Sequence, residues 1–168
     1  MKHLILGGAR SGKSRHAEQL AAQAGRSVVY IATAEALDEE MAMRITHHRA
    51  RRPADWALVE EPLALAQVLR REAAAHRCLL VDCLTLWLGN LLALDDARMQ
   101  QETHALYAAL PELSGDILLV SNEVGWGIVP DNPLARRFRD EAGRLHQRLA
   151  ELCDHVSLVA AGLPLRLK

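Results

Sequence analysis

Residues 7–14 read GGARSGKS and match the phosphate-binding pattern G-x-x-x-x-G-K-[ST]. They follow a short apolar run, His3–Leu6, and precede a segment with helical spacing, Lys13–Ala24, which is the context that this pattern requires. Glycines let the backbone fold around a phosphate with its N–H groups pointing inward, and the following helix adds its positive N-terminal end. The stretch predicts a nucleoside triphosphate site on an α/β fold. The alternative is a glycine-rich turn with an accidental Lys-Ser.

Each residue of this loop has an expected role. Lys13 should neutralise the β- and γ-phosphates, and the Ser14 hydroxyl should coordinate Mg²⁺. A second metal ligand is expected at the end of a neighbouring apolar strand, where Asp82 follows LLV. Asp82 precedes a helical segment and can also be read as an N-cap. The expected phosphate contacts are Gly7, Gly8, Ala9, Arg10, Ser11, Gly12, Lys13 and Ser14.

Apolar runs alternate with longer helix-compatible segments along the whole chain, which is typical of parallel strands joined by crossover helices. We therefore expect a single domain, residues 1–168, with a three-layer α/β fold and a mostly parallel central sheet. The ending LPLRLK alternates, which predicts an antiparallel edge strand. The predicted strands are His3–Leu6, Ser27–Ala32, Cys78–Asp82, Ile117–Ser121 and Val156–Ala160. The predicted helices are Lys13–Ala24, Ala36–Arg51, Leu63–Ala75, Met99–Leu110 and Leu134–Leu152.

Composition narrows the function further. The 168 residues carry a formal charge of -1, which encodes no bulk attraction for nucleic acid or anionic membrane. The apolar region Cys78–Leu94 is short for a membrane span and contains Asp82, Gly89 and Asn90, so we expect no stable membrane insertion. The N-terminus is not typical of a secretory signal, and the cysteines lack metal-type spacing. A cytoplasmic protein with reduced thiols is expected.

Residues 44–53, RITHHRARRP, place two histidines among four arginines. Adjacent residues on a helix point about 100° apart, so only one of His47 and His48 can easily face a nucleotide. A neutral imidazole can attack phosphorus, and nearby arginines would favour that neutral form. Histidine pairs are also common as ordinary surface residues. The pair alone leaves both interpretations open.

The loop after the fourth predicted strand, NEVGWGIVP at residues 122–130, should lie beyond the carboxyl edge of the sheet. That position would bring Asn122 and Glu123 near the nucleotide or a second substrate. The alternative is that Gly125 and Gly127 only serve turn geometry.

Taken together, GGARSGKSRHAE, VVYIATAEALDEEMAMRITHHRARRP, LLVDCLTLWLGNLL, SNEVGWGIVPDNPLARRFRDEAGRLHQRLA and LVAAGLPLRLK resemble the bifunctional adenosylcobinamide kinase / adenosylcobinamide-phosphate guanylyltransferase family. The likeness covers nearly the whole chain in order. It implies phosphorylation of adenosylcobinamide by a nucleoside triphosphate and then transfer of GMP from GTP to adenosylcobinamide phosphate. GTP and ATP are the implied nucleotides, with Mg²⁺, on a P-loop domain of RecA-like topology that forms a homotrimer.

The resemblance also implies site residues. The guanylyl group would pass through a covalent phosphoramidate on His48, with His47 as the reserve, and Lys13 would serve catalysis. Two positions depart from the family pattern: Asp82 stands where Glu is frequent, and His146 where Asn is frequent. The implied nucleotide contacts beyond the loop are Thr33, Ala34, Glu35, Arg49, Ala50, Arg51, Arg52, Glu60 and Asp82.

Two rival functions remain at this point. A P-loop small-molecule kinase without nucleotidyl transfer would use the same loop and would not need His48. A nucleotide-dependent switch module would hydrolyse GTP slowly and show no turnover that depends on cobinamide.

Overall fold

The structure is a computed structural model that describes residues 1–34 and 53–168. The predicted helix Ala36–Arg51 lies outside the described residues. The strands are β1 Lys2–Gly7, β2 Ser27–Ala32, β3 Ala57–Glu60, β4 Arg77–Asp82, β5 Asp116–Asn122, β6 His155–Ala160 and β7 Leu163–Arg166. The helices are α1 Lys13–Gln23, α2 Leu65–Glu72, α3 Leu84–Leu92, α4 Asp96–Ala109 and α5 Pro133–Leu152, with a 3₁₀ turn at Leu110–Glu112.

The strands form one seven-stranded sheet in the order β3-β2-β4-β5-β1-β6-β7. All pairs are parallel except β6 with β7, which is antiparallel. The predicted fold class is therefore confirmed, including the antiparallel edge strand at the C-terminus. Because the crossovers return each parallel strand in the same direction, the carboxyl ends of β1 to β6 meet at one edge of the sheet.

The two faces of the sheet bury different sets of side chains. Helices α2–α5 cover one face, where Trp87, Leu106 and Leu145 pack against strand residues such as Leu4 and Leu119. Helix α1 covers the other face, where its two buried alanines, Ala17 and Ala21, pack against strand residues that alternate with the first set. These strand residues are Ile5, Leu80, Leu118 and Val120. This two-sided burial explains why the central strands are almost continuously apolar.

Strand β3 was missed by the sequence prediction. Within residues 1–34 and 53–168 it pairs with β2 alone, through Val29–Ala32 against Ala57–Glu60, and three of its four residues are exposed. An exposed edge strand of four residues carries neither a buried apolar run nor a clean alternation. The sequence therefore had no strong signal for it.

Local capping sets the helix ends that the sequence misplaced by a few residues. Helix α4 begins at Asp96, earlier than predicted, because the Asp95 carboxylate accepts a hydrogen bond from Arg98 N at 2.8 Å. Helix α5 begins at Pro133 because Asn132 Oδ1 accepts from the N–H groups of Leu134 and Ala135. Proline suits a first helical position because it has no N–H to satisfy.

The chain ends are tied to the core. Lys168 Nζ donates to the carbonyls of Ala150, Glu151 and Cys153 at 2.9, 3.2 and 2.7 Å, where α5 ends. A cation at this end offsets the partial negative charge of the helix dipole.

Cys78, Cys83 and Cys153 are buried free thiols. None of the helices in the described part of the chain is long and apolar enough to cross a membrane.

A buried histidine should make folding sensitive to acid. His3 is 7% exposed and its Nε2 lies 2.9 Å from Ser157 Oγ. Burial, with nearby His155, His16 and Arg166, lowers the His3 pKa from 6.5 to about 4. The unfolded chain binds this proton below pH 6.5 and the folded chain does not, so stability falls as pH drops from about 6.5 towards 4.

Between pH 7 and pH 5, the unfolding free energy of the wild type should fall by about 2 kcal/mol more than that of His3→Gln. Urea denaturation at both pH values measures this difference. His104→Gln, at an exposed histidine, is the matched control and should keep the wild-type pH dependence. An equal loss in wild type and His3→Gln would contradict the assignment.

Candidate active site

The loop between β1 and α1 lies at the carboxyl edge of the sheet. Gly7, the last residue of β1, is in register with Asn122 of β5 on one side and Val159 of β6 on the other. The chain then turns through residues 8–12, and α1 begins at Lys13. Ser11 N donates to Gly8 O at 3.3 Å, and His16 N donates to Gly12 O at 2.9 Å. The predicted strand–loop–helix geometry is present.

Glycine is required at two positions of this loop. A Cβ on Gly7 would lie 2.5 Å from Ser11 Oγ and 2.6 Å from Val159 O. Gly12 has a φ of 97°, and a Cβ there would lie 3.0 Å from the Cα of Gly162. Gly162 N in turn donates to Ser11 O at 2.8 Å. The turn between β6 and β7 therefore packs directly against the loop and fixes its curvature.

Lys13 lies under the loop and is buried. Its Nζ donates to Gly8 O at 3.1 Å, so the side chain reaches back across the loop. Burial lowers the pKa of Lys13, while the neighbouring Cys83 and Asp82 oppose that shift. A bound triphosphate would likewise favour the protonated lysine. The site thus holds a partly desolvated cation where the phosphates are expected.

Asp82 lies at the end of β4, half-buried, and its Oδ2 accepts a hydrogen bond from Tyr30 at 3.1 Å. Strand β5 separates β4 from β1, with Asp82 in register with Val120. Asp82 therefore shares the carboxyl edge with the phosphate loop, although its strand is not the immediate neighbour of β1 that the sequence led us to expect. Its role as a metal ligand stays a prediction. Among the described residues, no group of three or more His, Cys, Asp and Glu could hold a metal by itself.

Thr33 follows β2 and is fully buried. Its hydroxyl donates to Cys83 O at 2.7 Å and accepts from Cys83 N at 3.0 Å, and its carbonyl accepts from Asn90 Nδ2. In this structure the side chain ties the ends of β2 and β4 together. Its nucleotide contact, like that of half-buried Ala34, stays a prediction.

The remaining predicted contacts divide into two groups. Glu60 is exposed at the end of β3, in register with Ala32, and so reaches the same edge of the sheet. Its neighbour Glu61 has a structural role, since its Oε1 accepts from Leu63 N and Ala64 N before α2. The others lie outside the described residues: Glu35, His47, His48, Arg49, Ala50, Arg51 and Arg52.

A buried polar chain next to the loop was not predicted as a unit. Ser121 Oγ lies 2.7 Å from His146 Nε2 and 3.2 Å from Thr85 Oγ1, and Asn122 N donates to Thr85 Oγ1 at 2.6 Å. Glu123 N donates to Gly7 O at 3.0 Å. The sequence indicated Asn122 and Glu123 through the sheet-edge rule, but Thr85 and Ser121 gave no signal because their contacts are tertiary.

This arrangement defines a P-loop nucleoside triphosphate-binding fold: a glycine-rich loop, a buried lysine and a carboxylate on a parallel strand lie at one edge of the sheet. The family model for cobinamide kinase / cobinamide phosphate guanyltransferase matches residues 3–167. The chain belongs to that family, and the resemblance and enzyme class predicted from the sequence are confirmed.

Two curated relatives are similar over their full length. The chain is 63% identical to the bifunctional adenosylcobalamin biosynthesis protein CobP of Pseudomonas aeruginosa, over 100% of this chain and 98% of that one. It is 43% identical to the corresponding CobU of Salmonella typhimurium, over 100% of both chains. Among solved structures, the RadB recombinase matches 94% of this chain and 73% of its own at 14% identity and a TM-score of 0.45. The fold assignment rests on the sheet itself.

The tight packing at Gly12 gives a testable expectation. Alanine in the left-handed conformation costs about 1–2 kcal/mol, and its Cβ would also press on Gly162. We expect Gly12→Ala to lower the unfolding free energy by at least that amount and to weaken GTP binding, measured by urea denaturation and calorimetry. Gly143→Ala, in α5 with open space around the new Cβ, should instead stabilise the chain by about 0.5–1 kcal/mol. Equal effects of the two substitutions would contradict this packing argument.

Proposed function

We propose that this protein phosphorylates a hydroxyl of adenosylcobinamide with a nucleoside triphosphate and then transfers GMP from GTP to the resulting phosphate. The product is adenosylcobinamide-GDP, an intermediate of cobalamin biosynthesis. The observation that carries the proposal is the complete phosphate cradle, Gly7–Ser14, in a chain that matches the bifunctional family over residues 3–167. Full-length relatives named as bifunctional adenosylcobalamin biosynthesis proteins support both activities.

In the first step the substrate hydroxyl attacks the γ-phosphorus, the bond to the β–γ bridging oxygen breaks, and the hydroxyl proton passes to an oxygen of the transferred phosphoryl group. The nucleoside diphosphate leaves with that electron pair. The backbone N–H groups of the loop and the N-terminus of α1 orient the phosphates, and the Lys13 ammonium offsets charge as it moves to the leaving oxygen. ATP and GTP both present the same triphosphate to this cradle.

Mg²⁺ fits the oxygen donors at this edge. The Ser14 hydroxyl and the Asp82 carboxylate are hard oxygen ligands of the kind that Mg²⁺ prefers, and these two residues would hold the ion. When bound, the ion would neutralise part of the phosphate charge. Tyr30 would hold the Asp82 carboxylate in place through its hydroxyl.

In the second step we propose that a neutral imidazole, that of His48, attacks the α-phosphorus of GTP and expels pyrophosphate. A phosphate oxygen of adenosylcobinamide phosphate then displaces the imidazole and takes the GMP group. The proposal rests on the family resemblance and on the arginine-rich sequence around the pair, Arg49–Arg52. His47 is the alternative nucleophile. Thr33, Ala34, Glu35 and Glu60 are proposed nucleotide contacts on the same basis.

The acceptor must reach the same edge of the sheet, because its hydroxyl has to meet the γ-phosphate. The loop that follows β5 exposes Trp126, Ile128 and Val129 there, and these side chains would offer apolar contact to a large ligand. Trp87 cannot do so, because it is fully buried and its Nε1 donates to Leu63 O.

We further propose a cytoplasmic homotrimer that binds no nucleic acid. The three buried free thiols support a reducing compartment, and the formal charge of -1 supports the absence of a nucleic-acid partner. The trimer rests on the family resemblance alone.

The rival function is a P-loop kinase without nucleotidyl transfer, in which the two histidines are ordinary surface residues.

The covalent step can be tested with GTP labelled at the α-phosphate. We expect the wild type with Mg²⁺ to retain an acid-labile label after denaturation, because a phosphoramidate hydrolyses in acid. His48→Ala should lose the label and His47→Ala should retain it. Labelled protein after gel filtration in denaturant is the measurement.

The two histidine variants control for each other, since each removes one imidazole from the same segment. Circular dichroism should show that both remain folded. The reverse labelling pattern would move the nucleophile to His47. A wild type that never carries label would remove the nucleotidyl-transfer half of the proposal and favour the plain kinase.

A further inference from the structure

The end of β5 occupies a distinctive position in the sheet. Asn122, its last residue, is in register with Gly7, the first residue of the phosphate loop. On the other side of β5 lies β4, which ends at Asp82 opposite Val120. Asn122 therefore lies at the carboxyl edge between the strand that carries the phosphate loop and the strand that carries the acidic residue.

The side chain of Asn122 is directed to the face of the sheet that carries α1. Ser121 contacts His146 of α5 and Thr85 of α3, so it points to the opposite face. Successive side chains on a strand alternate between faces, which directs Asn122 to the α1 side. Val120, two residues earlier, is on that side and packs with Ala17 of α1. Lys13, the first residue of α1, belongs to the same face.

The amide of Asn122 has unused hydrogen-bonding capacity. Its Oδ1 is buried and has no hydrogen-bond partner within residues 1–34 and 53–168. A buried amide oxygen without a partner is unfavourable, which makes an unpaired one beside a ligand site informative. An amide offers both an acceptor and two donors, so it can bind a phosphoryl oxygen and a hydroxyl at once.

We propose that Asn122 is a catalytic residue of the phosphoryl-transfer step. Its Nδ2 donates to the γ-phosphoryl group, and its Oδ1, once the side chain turns towards the bound triphosphate, accepts from the attacking hydroxyl. The contact with the hydroxyl rests on the proposed function, whereas the contact with the γ-phosphoryl group needs only a bound triphosphate. Guanylyl transfer breaks a bond at the α-phosphorus, so it depends on this contact much less.

Thr85, Ser121 and His146 are positioning residues for Asn122. The Asn122 N–H donates to Thr85 Oγ1 at 2.6 Å, and the hydroxyls of Thr85 and Ser121 lie 3.2 Å apart. Ser121 lies 2.7 Å from His146 Nε2. All three side chains are buried, so α3 and α5 together fix the backbone from which the Asn122 amide projects.

The hydrogen atoms of this chain can be arranged consistently. Thr85 donates to Ser121, and Ser121 donates to Nε2 of a neutral His146. In this tautomer the Nδ1–H of His146 faces Glu123 Oε2, with Nδ1 and Oε2 3.7 Å apart. Burial lowers the pKa of His146, which favours this neutral form, while Glu123 opposes the shift. Glu123 is held in turn by Gly125 N at 2.9 Å.

The test compares affinity for a non-hydrolysable GTP analogue with affinity for GDP, by calorimetry with Mg²⁺. We expect the wild type to prefer the triphosphate and Asn122→Ala to lower that preference about tenfold or more, as for loss of a hydrogen bond to a charged group. Asn122→Asp should lower it further, because a carboxylate would repel the γ-phosphate. An unchanged preference in both variants would overturn the proposal.

Turnover supplies the second measurement. With GTP at saturating concentration for each protein, Asn122→Ala should lower kcat for phosphorylation of adenosylcobinamide about tenfold or more, while α-phosphate labelling of the protein stays within about threefold of wild type. Ser121→Ala and His146→Gln should lower the same kcat with little change in KM for the nucleotide, because the loop still binds it. Equal losses of phosphorylation and labelling would overturn the assignment to the γ-phosphate.

Ser157→Ala is the matched control, since it also removes a buried serine bonded to a buried histidine, His3, at 2.9 Å. It should leave the triphosphate preference and kcat at wild-type values. A loss equal to that of Ser121→Ala would reduce the positioning role to general stability. A wild type that prefers the triphosphate but does not phosphorylate adenosylcobinamide would refute the proposed function while leaving the γ-phosphate contact intact.

Discussion

The structure depends on close backbone packing around a loop that cannot carry side chains at two positions. Gly7 lies against Ser11 and the carbonyl of Val159, and Gly12 lies against Gly162. The hydrogen bond from Gly162 N to Ser11 O connects the loop to the turn between β6 and β7. The C-terminal antiparallel strand therefore does more than cover the edge of the sheet, because the turn that leads into it packs against the phosphate-binding loop.

The parallel topology of the sheet brings this glycine-constrained loop together with other candidate site residues. Each crossover returns the chain in the same direction, so Gly7, Asp82 and Asn122 end their strands at one edge although they are far apart in sequence. Lys13 is buried close enough to Asp82 for this residue to oppose the lowering of the lysine pKa. Its ammonium lies where the charge of bound phosphates would be. One cradle can serve two reactions if different phosphorus atoms of the same triphosphate meet different nucleophiles.

The sequence predicted features that are local and missed those that depend on packing. GGARSGKS and the buried strands were predictable, because a contiguous pattern or an apolar run sets each of them. Strand β3 was not, because it is exposed, and the start of α4 depends on the Asp95 cap. The chain of Thr85, Ser121 and His146 joins residues 25 and 36 positions apart, so no short pattern marks it. Thr33 was predicted as a nucleotide contact, but no sequence pattern indicated its hydrogen bonds to Cys83.

The measurement that tests most directly whether one cradle serves both reactions is a paired assay of Lys13→Met. Methionine keeps the length of the buried side chain and removes its charge. Phosphorylation of adenosylcobinamide and covalent labelling from α-labelled GTP would be measured on the same folded protein. A shared cradle predicts that both activities fall by at least a hundredfold, since both lose the charge that offsets the phosphates. Labelling at the wild-type level alongside lost phosphorylation would contradict it and would require a separate nucleotide site for guanylyl transfer.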